Sequence, residues 1–167
     1  MSHILDRVLA VFPTRTGFGW ALFEGPDNPV DWGVATIGKD RNAACLARIE
    51  ELIDRCQPTS LVLEEFEGPS SRRAARIRDL GRDILDLANT KGADTQVYSR
   101  AEVTAAFLEV GAETRYEIAT AIAARIEPFA HLLPPPRKIW MPEDPRMGLF
   151  NAAAVALAHY AHSASFD

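Results

Sequence analysis

The sequence predicts an α/β fold. A five-stranded mixed sheet, three antiparallel strands followed by parallel crossovers, is flanked by helices. Three features predict it. Short apolar runs broken by turn signals fill residues 8–37. A helical periodicity over 41–56 then leads into SLVLEE, an apolar run too short for a helix. Beyond it, helix-like and strand-like stretches alternate, as crossover connections require. With 167 residues, 47% hydrophobic and 25% charged, the chain suits one domain, 1–167, with a sizeable core.

Val8–Phe12 is the first strand and Gly17–Phe23 the second, with Pro-Thr-Arg-Thr between them. Gly25-Pro-Asp-Asn-Pro29 turns the chain into a third strand, Asp31–Ile37, so the opening is an antiparallel meander. Over Arg41–Cys56, the residues Cys45, Leu46, Ile49, Leu52, Ile53 and Cys56 share one helix face, and Gln57-Pro58 ends the helix. Ser60–Glu65 reads as a strand buried on both faces. Ser70 or Ser71 caps a long helix with Ile77, Leu80, Ile84 and Leu87 on its apolar side, ended by Lys91-Gly92. Thr95–Tyr98 is the fifth strand. Helices follow at Arg100–Leu108 and Ala112–Ile126. Six of the eleven prolines lie between Pro128 and Pro145, which makes that connection stiff. Asp144-Pro145 then reads as an N-cap followed by Pro at the first position of a last helix reaching His162.

Several function classes are disfavoured. The net charge of −5 argues against a chain that coats nucleic acid, though a local basic patch remains open. No apolar stretch approaches the ~18 residues of a membrane span, and the N-terminus lacks a signal-peptide pattern, so the expectation is a cytoplasmic protein. Cys45 and Cys56 fall eleven residues apart on one helix, roughly 16 Å along its axis, too far to pair. Zinc spacing is absent. So are GxxxxGK[ST] and GxSxG. His159 and His162 lack a third ligand at helical spacing and read as surface or half-buried histidines. Phe18, Trp20 and Trp32 sit on strands and read as core.

A set of short motifs carries a family resemblance. They are Phe12-Pro13 followed by Thr16-Gly17-Phe18-Gly19, Leu63-Glu64 at a strand end, and Leu80-Gly81 inside the next helix. Gly111 to Arg115 is a Gly-x-x-x-basic element, and an Ala-rich final helix runs from Asn151 to His159. With the order of elements, these resemble the ribonuclease H-like fold and, within it, the RuvC-type Holliday-junction resolvases. The resemblance implies a metal-dependent nuclease with carboxylates on the first strand, the fourth strand and the last helix. At those places stand Phe12, Glu64, and Gly148 with Asn151. Glu64 is the one acid kept, and it is the candidate catalytic and metal-binding residue of a degenerate site.

Two Mg²⁺ ions held roughly 3.5–4 Å apart need several carboxylate oxygens. Phe12 and Gly148 offer none, and Asn151 offers one neutral amide oxygen. Glu65 follows Glu64 on a strand and is expected on the opposite face. Glu67 and Asp144 are the remaining candidate ligands, Asp144 with a competing role as helix cap. Glu143 is expected to be solvated. Actin-like and sugar-kinase ATPases share the fold, but their phosphate loop needs an acid and glycines near Phe12-Pro13-Thr14-Arg15.

Arg72, Arg73, Arg76, Arg78 and Arg82 follow the Glu64 strand, diluted by Asp79, Asp83 and Asp86. They read either as a solvated helix with i,i+3 and i,i+4 pairs or as a phosphate-facing rim. In the second reading Arg72, Arg73, Arg76 and Arg115 contact nucleic acid, and Arg100, Arg137 and Lys138 extend the rim. Three functions stay open at this point. One is a protein that binds branched or structured DNA with its nuclease lost or weakened. Another is an active Mg²⁺-dependent endonuclease using Glu64. The third is a protein-interaction module. The resemblance also implies a homodimer, in keeping with Leu85 lying off the main apolar stripe.

Overall fold

In the computed structural model, residues 6–66 and 75–164 are described. Five strands form one sheet: β1 (Val8–Pro13), β2 (Gly17–Phe23), β3 (Pro29–Thr36), β4 (Ser60–Glu64) and β5 (Asp94–Tyr98), in the order β3-β2-β1-β4-β5. β1–β2 and β2–β3 are antiparallel, with Phe12 opposite Gly19. β1–β4 and β4–β5 are parallel, with Ala10 beside Val62 and Glu64 beside Tyr98. This is the mixed sheet the sequence predicts. β3 begins at Pro29, earlier than expected, because a register shift between Leu22 and Phe23 lets the proline pair at the sheet edge.

The strand period of two divides the core. Leu9, Val11, Trp20, Leu22, Leu61 and Leu63 face α1 (Arg41–Cys56) and α2 (Ala75–Thr90). Val8, Ala10, Phe12, Ala21, Phe23 and Val62 face the other side. There they meet α3 (Arg100–Ala105), α4 (Arg115–Arg125) and α5 (Arg146–Ala164). On α1, Cys45 and Cys56 are buried free thiols, and burial pushes the Cys45 thiol up. Ser70 and Ser71, expected to cap α2, lie outside the described residues. Within α2, Gly81 faces the Phe66 ring, where an added Cβ would come within 2.7 Å of a ring carbon. Leu85, off the main stripe, is half-buried against the α1/α2 side of the core.

α3 is shorter than predicted, and a 3₁₀ turn, Leu108–Val110, follows it. Gly111 closes that turn at φ 73°, a backbone region open to glycine at little cost. α4 therefore starts at Arg115, later than expected, behind a capping box: the Thr114 side chain accepts from the Glu117 amide and Glu117 accepts from the Thr114 amide.

α5 is apolar on nearly every side, and Met147 to His159 are all buried. It lies across β1 and β2 with α4 on its flank. Its approach to the sheet is backbone on backbone. A Cβ on Gly19 would overlap the Gly148 carbonyl, and one on Gly148 would stand 3.0 Å from the Thr14 methyl and 3.3 Å from the Gly19 nitrogen. His159, expected at or near the surface, is buried on this helix, because α5 sinks into the molecule as far as its last turn. Its Nδ1 lies 2.6 Å from the Tyr98 hydroxyl. Among the described residues, no helix is long and apolar enough to cross a membrane.

Candidate active site and nucleic-acid interface

The ends of β1 and β4 and the start of α5 meet at one cleft of about 800 Å³. Parity decides what they present. Phe12 and Glu64 fall on the α5 side of the sheet, and Asn151 lies one turn into α5. So Phe12, Glu64, Gly148 and Asn151 line the same cleft. All four are buried, with Phe12 at 8%, Glu64 at 4% and Asn151 at 6% exposure, and they form its floor.

A guanidinium closes over this floor. Arg115, the first residue of α4, donates from Nη1 to Glu64 Oε1 at 3.1 Å and from Nη2 to Oε2 at 2.7 Å. The same group lies over Phe12, with Cζ 5.1 Å from the ring centre. Both carboxylate oxygens are thus engaged by a planar cation stacked on an aromatic face. Arg100 faces the cleft beside it, with Nη2 donating to the Glu113 carbonyl at 3.3 Å. Burial holds its guanidinium below the usual value, the Arg115 charge adds to that, and Glu64 counters it.

The cleft walls carry Glu65, Asp144 and Arg15. β4 ends at Glu64, so the alternation that would turn Glu65 to the other face stops there, and Glu65 borders the cleft. Asp144 accepts from the Arg146 backbone amide at 2.9 Å and from its guanidinium at 3.0 and 2.7 Å. The hydrogen bond to the Arg146 side chain, more than any other influence, holds the Asp144 carboxyl below its ordinary value. Asp144 thus caps α5, with Pro145 next to it. Glu143 is exposed, as expected.

The residues present do not fit a pair of Mg²⁺ ions. Phe12 and Gly148 bring no side-chain oxygen, Glu64 is held by Arg115, and Asp144 is held by Arg146. Among the described residues, no three of His, Cys, Asp and Glu come together to hold a metal. Glu67 lies outside the described residues, as do Arg72 and Arg73.

Arg76 braces the loop, Thr14 and Arg15, that forms one wall of the cleft. Its Nη2 donates to the Thr14 carbonyl at 3.1 Å and its Nη1 to Asn42 Oδ1 at 3.0 Å, while Asn42 Nδ2 donates to the Arg76 carbonyl. Arg41 adds a bond to the Arg15 carbonyl. The β1–β2 turn is thereby tied to α1 and α2. Of the aromatic strand residues, Phe18 and Trp20 are buried, and Trp32 is half-buried with its ring centre 5.0 Å from that of Phe129.

No family model and no curated protein sequence matches the chain. Solved structures do. A structure of RuvC from Thermus thermophilus superimposes with a TM-score of 0.68 at 22% identity, covering 95% of this chain and 96% of that one. The T. thermophilus RuvC in complex with a Holliday junction substrate gives 0.70 at 20% identity, covering 96% of each. The yeast mitochondrial Holliday junction resolvase Ydc2 gives 0.65 at 12% identity, covering 99% of this chain and 85% of the other. The chain has the RuvC-type fold. Within that fold, the pairing of Arg115 with Glu64 is the feature that sequence reading missed. The sequence places Arg115 with the phosphate-contacting arginines, and the pairing keeps its guanidinium on that cleft.

Proposed function

We propose that this chain binds branched or structured DNA on a RuvC-type fold and does not cleave it. The observation that carries the reading is the cleft floor. The retained carboxylate, Glu64, is neutralised by Arg115, and Phe12 backs that guanidinium. A positive group stands where a nuclease of this fold would need positive ions. With Glu64 and Arg115 paired, the floor carries no net charge and offers a divalent cation no free carboxylate. Arg15, Arg100 and Arg137 border the same cleft and offer cations to a phosphodiester, beside the carboxylates of Glu65, Glu143 and Asp144, the last of them held by Arg146. The junction complex of the T. thermophilus protein supports four-way DNA as the first ligand to try. The homodimer implied by the resemblance belongs to this reading, and light scattering at micromolar concentration tests it.

The deciding experiment has two arms. Fluorescence anisotropy with a labelled four-way junction and a duplex of equal length, over a salt series, is expected to show junction preference. It is also expected to show a steep fall of affinity with salt, the signature of phosphate contacts. Incubation with the junction in Mg²⁺ or Mn²⁺ is expected to give no cleavage above that of Glu64→Gln. Absence of binding to any DNA refutes the reading in favour of an interaction module. Glu64-dependent cleavage refutes it in favour of an active nuclease.

A further inference from the structure

Ile139, at 93%, and Trp140, at 75%, are the two most exposed large apolar side chains among the described residues. They sit at the tip of a turn whose two feet, Arg137 and Pro142, line the cleft described above. The turn is closed on itself. The Met141 amide donates to the Lys138 carbonyl at 2.9 Å, and Arg137 Nη1 donates to the Met141 carbonyl at 3.1 Å. Pro134, Pro135 and Pro136 precede it and Pro142 follows, each with its φ fixed by the ring. Upstream, the Tyr116 hydroxyl donates to the Pro134 carbonyl at 2.8 Å. The indole is therefore held out into water by a braced segment.

Its surroundings limit what it can receive. Lys138 Nζ lies 5.3 Å from the Trp140 ring centre, and Arg137 is three residues away on the cleft side. A flat aromatic face flanked by two cations matches a flat base flanked by its phosphates. A base inside a duplex has both faces covered by its neighbours, so only an unpaired or terminal base offers a face to an indole. The exposed cation–π contact of Lys138 is weak and readily exchanged for a phosphate.

We propose that Trp140 is a stacking platform for an unpaired nucleobase of the DNA strand whose phosphates enter the adjoining cleft. The proposal rests on the DNA-binding reading above and adds to it what would distinguish a branch point from plain duplex.

Trp140 is exposed, so its replacement leaves the core intact. Indole emission is followed while a short oligothymidylate, and separately the four-way junction, is titrated into the wild type and into Trp140→Leu and Trp140→Phe. Saturable quenching is expected in the wild type and its loss in Trp140→Leu, where Trp20 and Trp32 remain as unaffected reporters. Trp140→Leu should bind the junction about tenfold more weakly, the order expected for one lost stack, with duplex affinity unchanged, while Trp140→Phe keeps most of the affinity. Junction binding by Trp140→Leu equal to the wild type, with the salt slope preserved, overturns the platform and leaves the DNA-binding reading standing. Loss of self-association or of a protein contact in Trp140→Leu, with DNA binding unchanged, overturns it in favour of a protein-docking turn. A wild type that binds no junction removes both.

Discussion

Arg115 holds both carboxylate oxygens of Glu64 across 51 residues of chain, joining the first turn of α4 to the last residue of β4. Glu64 is 4% exposed on its side chain and Arg115 34%, so the pair is sheltered at the acid and open at the base. Breaking such a pair from one side leaves an uncompensated buried charge. Arg115→Met is expected to lower stability by about 3 kcal/mol in urea unfolding, while Glu64→Gln with Arg115→Met together should recover most of that loss. Additive losses in the double variant would show that the two side chains are not coupled.

Phe12 is 8% exposed in the core that faces α5 and also backs the Arg115 guanidinium. Phe12→Ala should cost about 3–5 kcal/mol, as truncation of a buried aromatic does. A loss below about 1 kcal/mol, outside that range, would contradict its place in the core.

Restoring an acidic floor takes more than restoring acids. Phe12→Asp with Asn151→Asp would place three carboxylates on the cleft floor, but Arg115 would still neutralise part of the set. Calorimetry with Mn²⁺ is expected to show measurable binding for Phe12→Asp, Asn151→Asp and Arg115→Ala combined, and weaker binding while Arg115 remains. Equal binding with and without Arg115 would mean that the guanidinium does not guard the site. Cleavage need not follow, since the surrounding residues are not those of a metal site.

His159 is buried against Tyr98, and burial is the main cause of its lowered basicity. The His162 charge adds to the effect, and the Asp6 carboxylate opposes it. The unfolded chain therefore takes up a proton near pH ~6.5 that the folded chain resists. Stability carried by the neutral ring is complete above that value and is lost as pH falls below it. In urea melts taken between pH 7.5 and 5, His159→Asn, whose neutral amide can pair with the Tyr98 hydroxyl, is expected to lose less than the wild type. Parallel losses would remove His159 as the sensitive group.

Tyr160 governs the alkaline side. Its hydroxyl accepts from the Gly25 amide at 2.9 Å and lies 3.2 Å from the Phe23 and Asp6 carbonyls, and burial pushes its pKa up to about 12. The unfolded phenol ionises near pH ~10 while the folded one stays protonated, so stability falls as pH rises through that interval. Tyr160→Phe should flatten part of this fall. Tyr98, whose hydroxyl burial also raises, contributes in the same direction. An unchanged alkaline slope in Tyr160→Phe would rule out its contribution.

The sheet was legible because its signals are local. Apolar runs such as Val8–Phe12 and Gly17–Phe23 are bounded by turn residues, and α1 announces itself by one apolar face. The start of α4 was less so, because the capping box at Thr114 and Glu117 outweighs the apolar pattern that begins at Ala112. The cleft was legible in part. Strand parity brings Phe12 and Glu64 to one face, and Asn151 follows from the last helix. The Arg115–Glu64 pair was not, since nothing local links two residues so far apart. His159 was misplaced because α5 is apolar on every side, so no face marks inside from outside. Trp140 did leave a signal, an aromatic beside Arg-Lys in a proline-bound stretch without apolar periodicity.

The contact of Gly19 with Gly148 sets how closely α5 can lie on the sheet. With no side chain on either residue, α5 has settled onto β2 until their backbones touch and the Thr14 methyl fills the remaining gap. An acid at 148, where the resemblance implies one, would bring its Cβ to 3.0 Å from the Thr14 methyl and 3.3 Å from the Gly19 nitrogen, so the threonine side chain and the strand would have to give slightly. The firmer bar is at 19, where a Cβ would overlap the Gly148 carbonyl, so glycine at 19 is what lets α5 lie backbone to backbone on β2.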